Sequence, residues 1–393
     1  MFRSFFLAGF EGSTGYNRHG QWFDQVAATG HDRSVDQDYR DLAALGIHAA
    51  RETVRWPLVD QGGRYDFSSL EPFARAAREN GSEVIWDLFH YGYPQDVDIW
   101  GAAFPERFAE YCYAVARYLG REGEALYVTP VNEPSFMAYA GGEKGLFAPY
   151  GQERGWELKI ALTRAAIAGI DAIRLACPEA RIVNVDPLCR VATPAGRPDL
   201  AEEARDFNER LVFQGWDMLS GRIMPELGGS REHLDIVGIN YYWTNQWEWR
   251  IPLVDGRIPP LADDDPRRLP LSALVRSVWE RYGGEIIITE TSHIGDMRGA
   301  WLREVAAESE TLLQQGVPLR GVCLYPILGM PEWHDPDIWT PMGLWDPVCH
   351  RDPCGDRLLC QPMAEALRSA RHLDALQARL LADGSGIRQI AAE

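Results

Sequence analysis

The sequence predicts an α/β protein folded as a single (β/α)8 barrel, and three observations carry that reading. Eight short runs rich in apolar and β-branched residues recur along 393 residues. Helical stripes with a period near 3.6 lie between and after them. Several of the runs are almost continuously apolar, as expected of strands buried on both faces of a parallel sheet. Eight such strand–helix units in one chain of this length make a TIM barrel. A doubly wound sheet is the alternative, but no GxGxxG or GxxxxGK[ST] phosphate loop follows any run.

The strand runs fall at 6–11, 48–56, 83–90, 126–132, 182–186, 234–242, 285–289 and 319–325. The first helix is read from Ser34 with Gln37 three residues on, a capping box, and it turns Val35, Tyr39, Leu42 and Leu45 inward. The third follows Pro105 and carries the stripe Phe108, Tyr111, Cys112, Val115, Ala116 and Leu119. The seventh repeats the pattern with Trp301, Leu302, Val305, Ala306, Ser309, Leu312 and Leu313. Such stripes are core faces and say nothing about chemistry. Without a composition shift to mark a linker, residues 1–381 are expected to form one barrel and 382–393 a C-terminal tail.

Composition narrows the function. Hydrophobic residues make up 46% of the chain, enough for a large core. The net charge of −18 argues against nucleic acid as a partner and fits a neutral or cationic ligand. No uncharged apolar stretch is long enough to span a bilayer, so no membrane partner is expected. The opening Met1–Phe10 has too short an apolar run for a signal peptide, with Glu11 next. Seven scattered cysteines, an odd number, read as reduced thiols in a cytoplasmic protein. Cys349, Cys354 and Cys360 lie close together beside His350, but without CxxC spacing they are expected to be free thiols and not a metal site. Neither a cofactor nor a metal is called for, and the oligomeric state is not encoded in any pattern.

In a barrel the reacting groups come from the C-terminal strand ends. Those ends read Glu11, Arg51, His90, Asn132–Glu133, Tyr241–Tyr242, Glu290 and Tyr325, and the opposite ends hold no comparable set. Glu133 follows the fourth run and Glu290 the seventh, on opposite sides of one mouth. Two carboxyls are the minimum equipment for cleaving a glycosidic bond, one to protonate the leaving oxygen and one to attack the anomeric carbon. About 5 Å apart, they would raise one pKa while the other group stays ionised. Taken singly, each Glu could be a solvated surface carboxylate, and Arg51 a structural ion pair. Together, Arg51 and a tyrosine of the sixth strand can hold one carboxylate charged and oriented.

The strings RETVRWP, RYDFSSLEPF, DLFHYGYP, VNEP, VGINYY and ITET, in this order over residues about 6 to 345, resemble the clan A glycoside hydrolases. The closest likeness is to family 1, the retaining β-glucosidase and β-galactosidase group. The resemblance implies Glu133 as general acid/base, Glu290 as nucleophile, and Asn132 on the sugar 2-hydroxyl. It also implies Arg51 and Tyr242 as supports of the nucleophile and His90 on a glycon hydroxyl. Tyr325 stands where the family has a Trp beneath the sugar, and Glu332 and Trp333 where it has the pair gripping the 4- and 6-hydroxyls. Two departures bear on the sugar: Glu11 replaces the family's Gln, and Tyr325 its Trp. The chain is also shorter than typical members. After the eighth strand, Trp333 to Asp337 is net acidic, which points away from 6-phosphosugars.

Tryptophans at 243, 247, 249, 333, 339 and 345 either stack on sugar rings at the mouth or pack the loops together. The expected partner is a β-glycoside or oligosaccharide and the expected activity hydrolysis of a terminal β-linked sugar with retention. Transfer to a sugar acceptor by the same pair, or a non-catalytic carbohydrate-binding barrel, are the alternatives. A metal-dependent barrel hydrolase lacks support, since no HxH pair ends a strand and no HExxH occurs.

Overall fold

A computed structural model describes residues 2–254 and 258–382. Eight parallel strands close into a barrel: β1 (Phe6–Gly9), β2 (Ala49–Thr53), β3 (Glu83–Asp87), β4 (Tyr127–Thr129), β5 (Arg181–Pro187), β6 (Ile236–Asn240), β7 (Glu285–Thr291) and β8 (Leu319–Leu324). Each pairs with its sequence neighbours and β8 returns to β1. The outer layer comprises α1 (His31–Ala44), α2 (Glu71–Glu79), α3 (Phe104–Leu119), α4 (Gly155–Ala176), α5 (Ala201–Glu209), α6 (Leu271–Tyr282), α7 (Arg298–Gln314) and α8 (Gln361–Ser369). A last helix, α9 (His372–Ala382), docks at the N-terminal edge of β1 and β8. There Asp374 Oδ1 accepts the Phe5 amide at 2.6 Å and Gln377 Nε2 donates to Leu319 O at 2.7 Å. Of the expected tail, residues 383–393 lie outside the described residues.

All eight predicted strands are present, most of them shorter than the apolar runs that announced them. The α3 and α7 stripes are buried as expected, save that Leu119 is only partly covered. The first helix corrects the sequence reading. It starts at His31 after Gly30, which caps it in the left-handed conformation, so Ser34 lies inside the helix and caps nothing. Gln37 bonds Asp41 instead, and Leu45 is the half-buried C-cap. A tertiary signal overrides the local capping box: His31 is drawn in because its ring nitrogens meet Asp38 at 2.6 Å and Glu52 at 3.1 Å.

The barrel has two cores. Outward-facing strand residues pack against the helices, while Leu7, Ala49, Ile85, Val183, Ile236, Ile287 and Cys323 fill the interior. Strand side chains alternate with a period of two. Two residues beyond this apolar layer, the inward positions are therefore Gly9, Arg51, Asp87, Val185, Gly238, Thr289 and Tyr325. The strand pleat alone thus lifts the chain from an apolar floor to a polar mouth. Gly9 is needed there, because a Cβ would stand 2.2 Å from the Tyr325 ring.

Candidate active site

Arg51 is fully buried at the centre of the mouth. Its Nη1 donates to Glu290 Oε1 at 2.6 Å and to the Thr289 carbonyl at 3.2 Å. Its Nη2 lies 2.7 Å from both Asp87 Oδ2 and Asn132 Oδ1. A guanidinium has donors enough for all four, and burial of its charge is offset by two carboxylates. Asp87 and Glu290 hold it well above its ordinary value against the effect of burial.

Glu290 is not a loop residue. It lies inside β7, and strict alternation from Ile287 would send Thr289 inward and Glu290 outward. Register shifts between Ile288 and Glu290 against β6, and between Ile288 and Thr291 against β8, mark a bulge there. The extra residue re-aims the carboxylate into the mouth. Its second oxygen, Oε2, accepts from Tyr242 OH at 2.6 Å. Both oxygens are thus held by strong donors, which fixes the orientation of the carboxylate.

Glu133 follows β4 with a left-handed backbone, φ +44°, at the start of the short helix Pro134–Met137. Non-glycine residues rarely adopt this conformation, and it recurs at functional sites. The carboxyl is buried, accepting from Tyr91 OH at 2.6 Å on Oε2 and from Asn240 Nδ2 at 2.9 Å on Oε1. Burial, and next the charge of Glu290, push it up to about 8, with the two hydrogen bonds opposing. This direction favours the protonated form of the carboxyl. Behind it Asp186 accepts from Ser135 N at 3.0 Å and Ser135 Oγ at 2.5 Å, fixing the turn that carries Glu133.

Asn132 joins the two carboxyls. Its Oδ1 accepts from Arg51, while its Nδ2 lies 3.1 Å from both His90 Nε2 and Tyr91 OH. Arg51, Asn132, Tyr91 and Glu133 therefore form one hydrogen-bonded chain. Both amide protons of Asn132 already have protein partners, so a sugar 2-hydroxyl would have to take one over. His90 Nδ1 meets Asp87 Oδ2 at 3.1 Å, which makes Nδ1 the protonated nitrogen and leaves Nε2 to accept from Asn132. Burial opposes a charge on His90, yet Asp87, Glu11 and Glu290 outweigh it and raise its pKa.

Tyr325 and Glu11 lie beside His90 in the same buried cluster. Tyr325 is buried, with its hydroxyl 3.3 Å from the Gly12 amide and 3.4 Å from His90 Nε2, and Arg51 lies over its ring at 5.2 Å. Glu11 Oε1 accepts the Ser13 amide at 2.9 Å, and burial raises its carboxyl. Trp333 packs on Phe23, Tyr91, Phe136 and Phe147 at centroid distances of 5.4–6.5 Å. Neighbouring Glu332 accepts from Thr340 across the hairpin of Met330–Pro331 and Trp339–Thr340. Tyr241 turns outward and stacks on Trp301.

Several tryptophans are structural. Trp247 and Trp249 pack on Phe207 of α5, Trp249 donating to Glu203, and Trp339 stacks on His350. Trp243 lies against His293 at 4.6 Å. The three late cysteines have separate surroundings: Cys354 meets Arg33 Nε at 3.0 Å, Cys360 caps α8 and Cys349 is exposed. Among the described residues, no helix is long and apolar enough to cross a membrane.

Tyr91, Asn240 and Asp87 were not singled out from the sequence, yet each bonds a predicted residue. All three sit inside quoted strings, DLFHYGYP and VGINYY, so the signal was adjacency to a strand end. Tyr91 was the hardest to see, because its reach to Glu133 depends on a left-handed backbone, φ +70°.

Solved structures share this architecture. A family 1 β-glucosidase from Thermotoga maritima superposes with a TM-score of 0.72 at 17% identity, covering 93% of this chain and 96% of that one. The fold is that of the family 1 β-glucosidases. A β-glucosidase from Thermotoga maritima in complex with glucoimidazole gives 0.74 at 18% identity, covering 93% and 97%. The AHE enzyme from Alicyclobacillus herbarius gives 0.75 at 18%, covering 94% and 100%. No protein-family model matches the sequence, and no curated protein does.

Proposed function

We propose that this protein is a retaining β-glycosidase that hydrolyses terminal β-linked sugars by double displacement. The observation that carries the reading is the unequal treatment of two carboxyls in one mouth. Both are buried, but Glu290 is held by the Arg51 guanidinium and Tyr242, whereas Glu133 is raised and held by a phenol and an amide. Opposed environments of this kind divide acid from nucleophile.

In the first step Glu290 attacks the anomeric carbon as Glu133 gives its proton to the departing oxygen. The covalent glycosyl-enzyme is then hydrolysed by a water that Glu133, now a carboxylate, deprotonates. Asn132 and His90 bind glycon hydroxyls, Tyr325 and Glu11 floor that pocket, and Glu332 with Trp333 closes its side. The shared fold of β-glucosidases solved with sugar-shaped inhibitors supports a carbohydrate ligand.

Hydrolysis of a panel of nitrophenyl β-glycosides tests the proposal. Glu290→Gln is expected to lose about 10³-fold or more in kcat. Azide is expected to restore part of the activity of Glu133→Ala, giving a β-glycosyl azide. Turnover by Glu290→Gln at the wild-type rate would remove Glu290 from the mechanism. Because Glu133 must start protonated, kcat/KM should fall as pH rises through about 8.

A further inference from the structure

A groove lined by the segment after β5 holds an arginine that no carboxylate neutralises among the described residues. After β5 the chain runs from Leu188 to Thr193, and within it Arg190–Ala192 pairs in parallel with Gln246–Glu248. Together with α5 and α6 this segment encloses about 660 Å³. The walls include Val191, Ala204, Val212, Leu269 and Leu274, and Arg190 joins them. Its Nε is buried without a hydrogen-bond partner. No carboxylate pairs with its guanidinium among the described residues, and burial alone acts on it, lowering its pKa.

An uncompensated, partly buried charge is costly, and in a chain of net charge −18 carboxylates are plentiful. The neighbouring Arg267 illustrates the ordinary solution, bonding both Glu248 and Asp265. We infer that the groove binds a small amphipathic carboxylate, its head on the Arg190 guanidinium and its apolar body along the α5 and α6 walls. The planar fork of an arginine matches a carboxylate through two parallel hydrogen bonds. The volume lies in the range of small-molecule sites, and besides its apolar walls and Arg190 the lining carries Arg205, Glu209 and Arg267. Among the described residues Arg190 makes no contact with the carboxylates of the mouth, and the inference does not depend on glycosidase activity.

Arg190 N donates to Asn245 O at 2.9 Å, and Asn245 Oδ1 accepts the Tyr242 amide at 3.2 Å. A substitution at 190 could therefore disturb catalysis through the backbone, so the test reads binding. Titration calorimetry on the full chain would compare octanoate with its neutral counterpart octanamide. Octanoate is expected to bind about tenfold or more tightly than octanamide, a preference that Arg190→Met abolishes and Arg190→Lys keeps in part. Ala201→Trp, at an exposed wall position of α5, is expected to block octanoate while leaving the arginine in place. Equal binding of the two probes would overturn the inference. So would unchanged octanoate binding in both Arg190→Met and Ala201→Trp, or no binding up to about 10 mM.

Discussion

Tyr91 follows His90 in DLFHYGYP, and its hydroxyl goes to Glu133 Oε2 at 2.6 Å. That bond favours the charged carboxylate, so its loss raises Glu133 further. Tyr91→Phe is expected to shift the basic limb of kcat/KM upward and to lower kcat about tenfold, because the acid loses a fixed orientation. A pH–rate profile checks both, and an unmoved limb would make Tyr91 a packing residue only. The sequence made most of these residues legible through chemistry at strand ends: Arg51, Asn132, Glu133, Tyr242 and Glu290 converge as that placement implies. It could not show that Asn132 spends both amide protons on His90 and Tyr91, because that depends on side-chain directions across three strands. Nor did it show Glu290 re-aimed by a bulge, since the apolar run before it reads as an unbroken strand.

Among the elements, α1 departs furthest from its sequence signal and is held to β2 by a buried polar cluster. His31 stacks on Phe10 at 3.5 Å and bonds Asp38 and Glu52, while Tyr39 OH reaches Glu52 and Arg357 reaches Asp38. Burial disfavours charge on His31, but Glu52 and Asp38 outweigh it and raise the imidazole to about 9. A histidine raised on folding contributes stability fully below about 6.5, and the contribution is lost as pH rises through about 9. Thermal melts of wild type should therefore fall across that window, and His31→Gln should flatten the fall while melting lower at pH 6. Parallel curves for the two proteins would contradict the assignment. A capping-box search cannot find such a helix start, because His31 is placed by residues at 38 and 52 and by none of its immediate neighbours.

At the scale of the whole molecule, the barrel is a closed ring whose floor is apolar and whose mouth is polar, with α9 docked at the N-terminal edge of β1 and β8. The Phe5 amide, in a fully covered residue, ends on Asp374. Asp374→Ala leaves that donor unsatisfied and should cost about 1–3 kcal/mol in chemical denaturation, with activity at room temperature unchanged. A stability loss below a few tenths of that range would show that α9 docks without depending on this bond. The fold class was readable because eight runs and their intervening stripes repeat one unit. The docking of α9 was not, because it joins residues 369 positions apart. The central claim, attack by Glu290 followed by release through Glu133, is tested most directly by the anomeric form of the first-formed sugar. Proton NMR in the first minutes of hydrolysis of the best nitrophenyl β-glycoside should show the β-anomer, with the α-anomer appearing only by mutarotation. The α-anomer as first product would contradict double displacement.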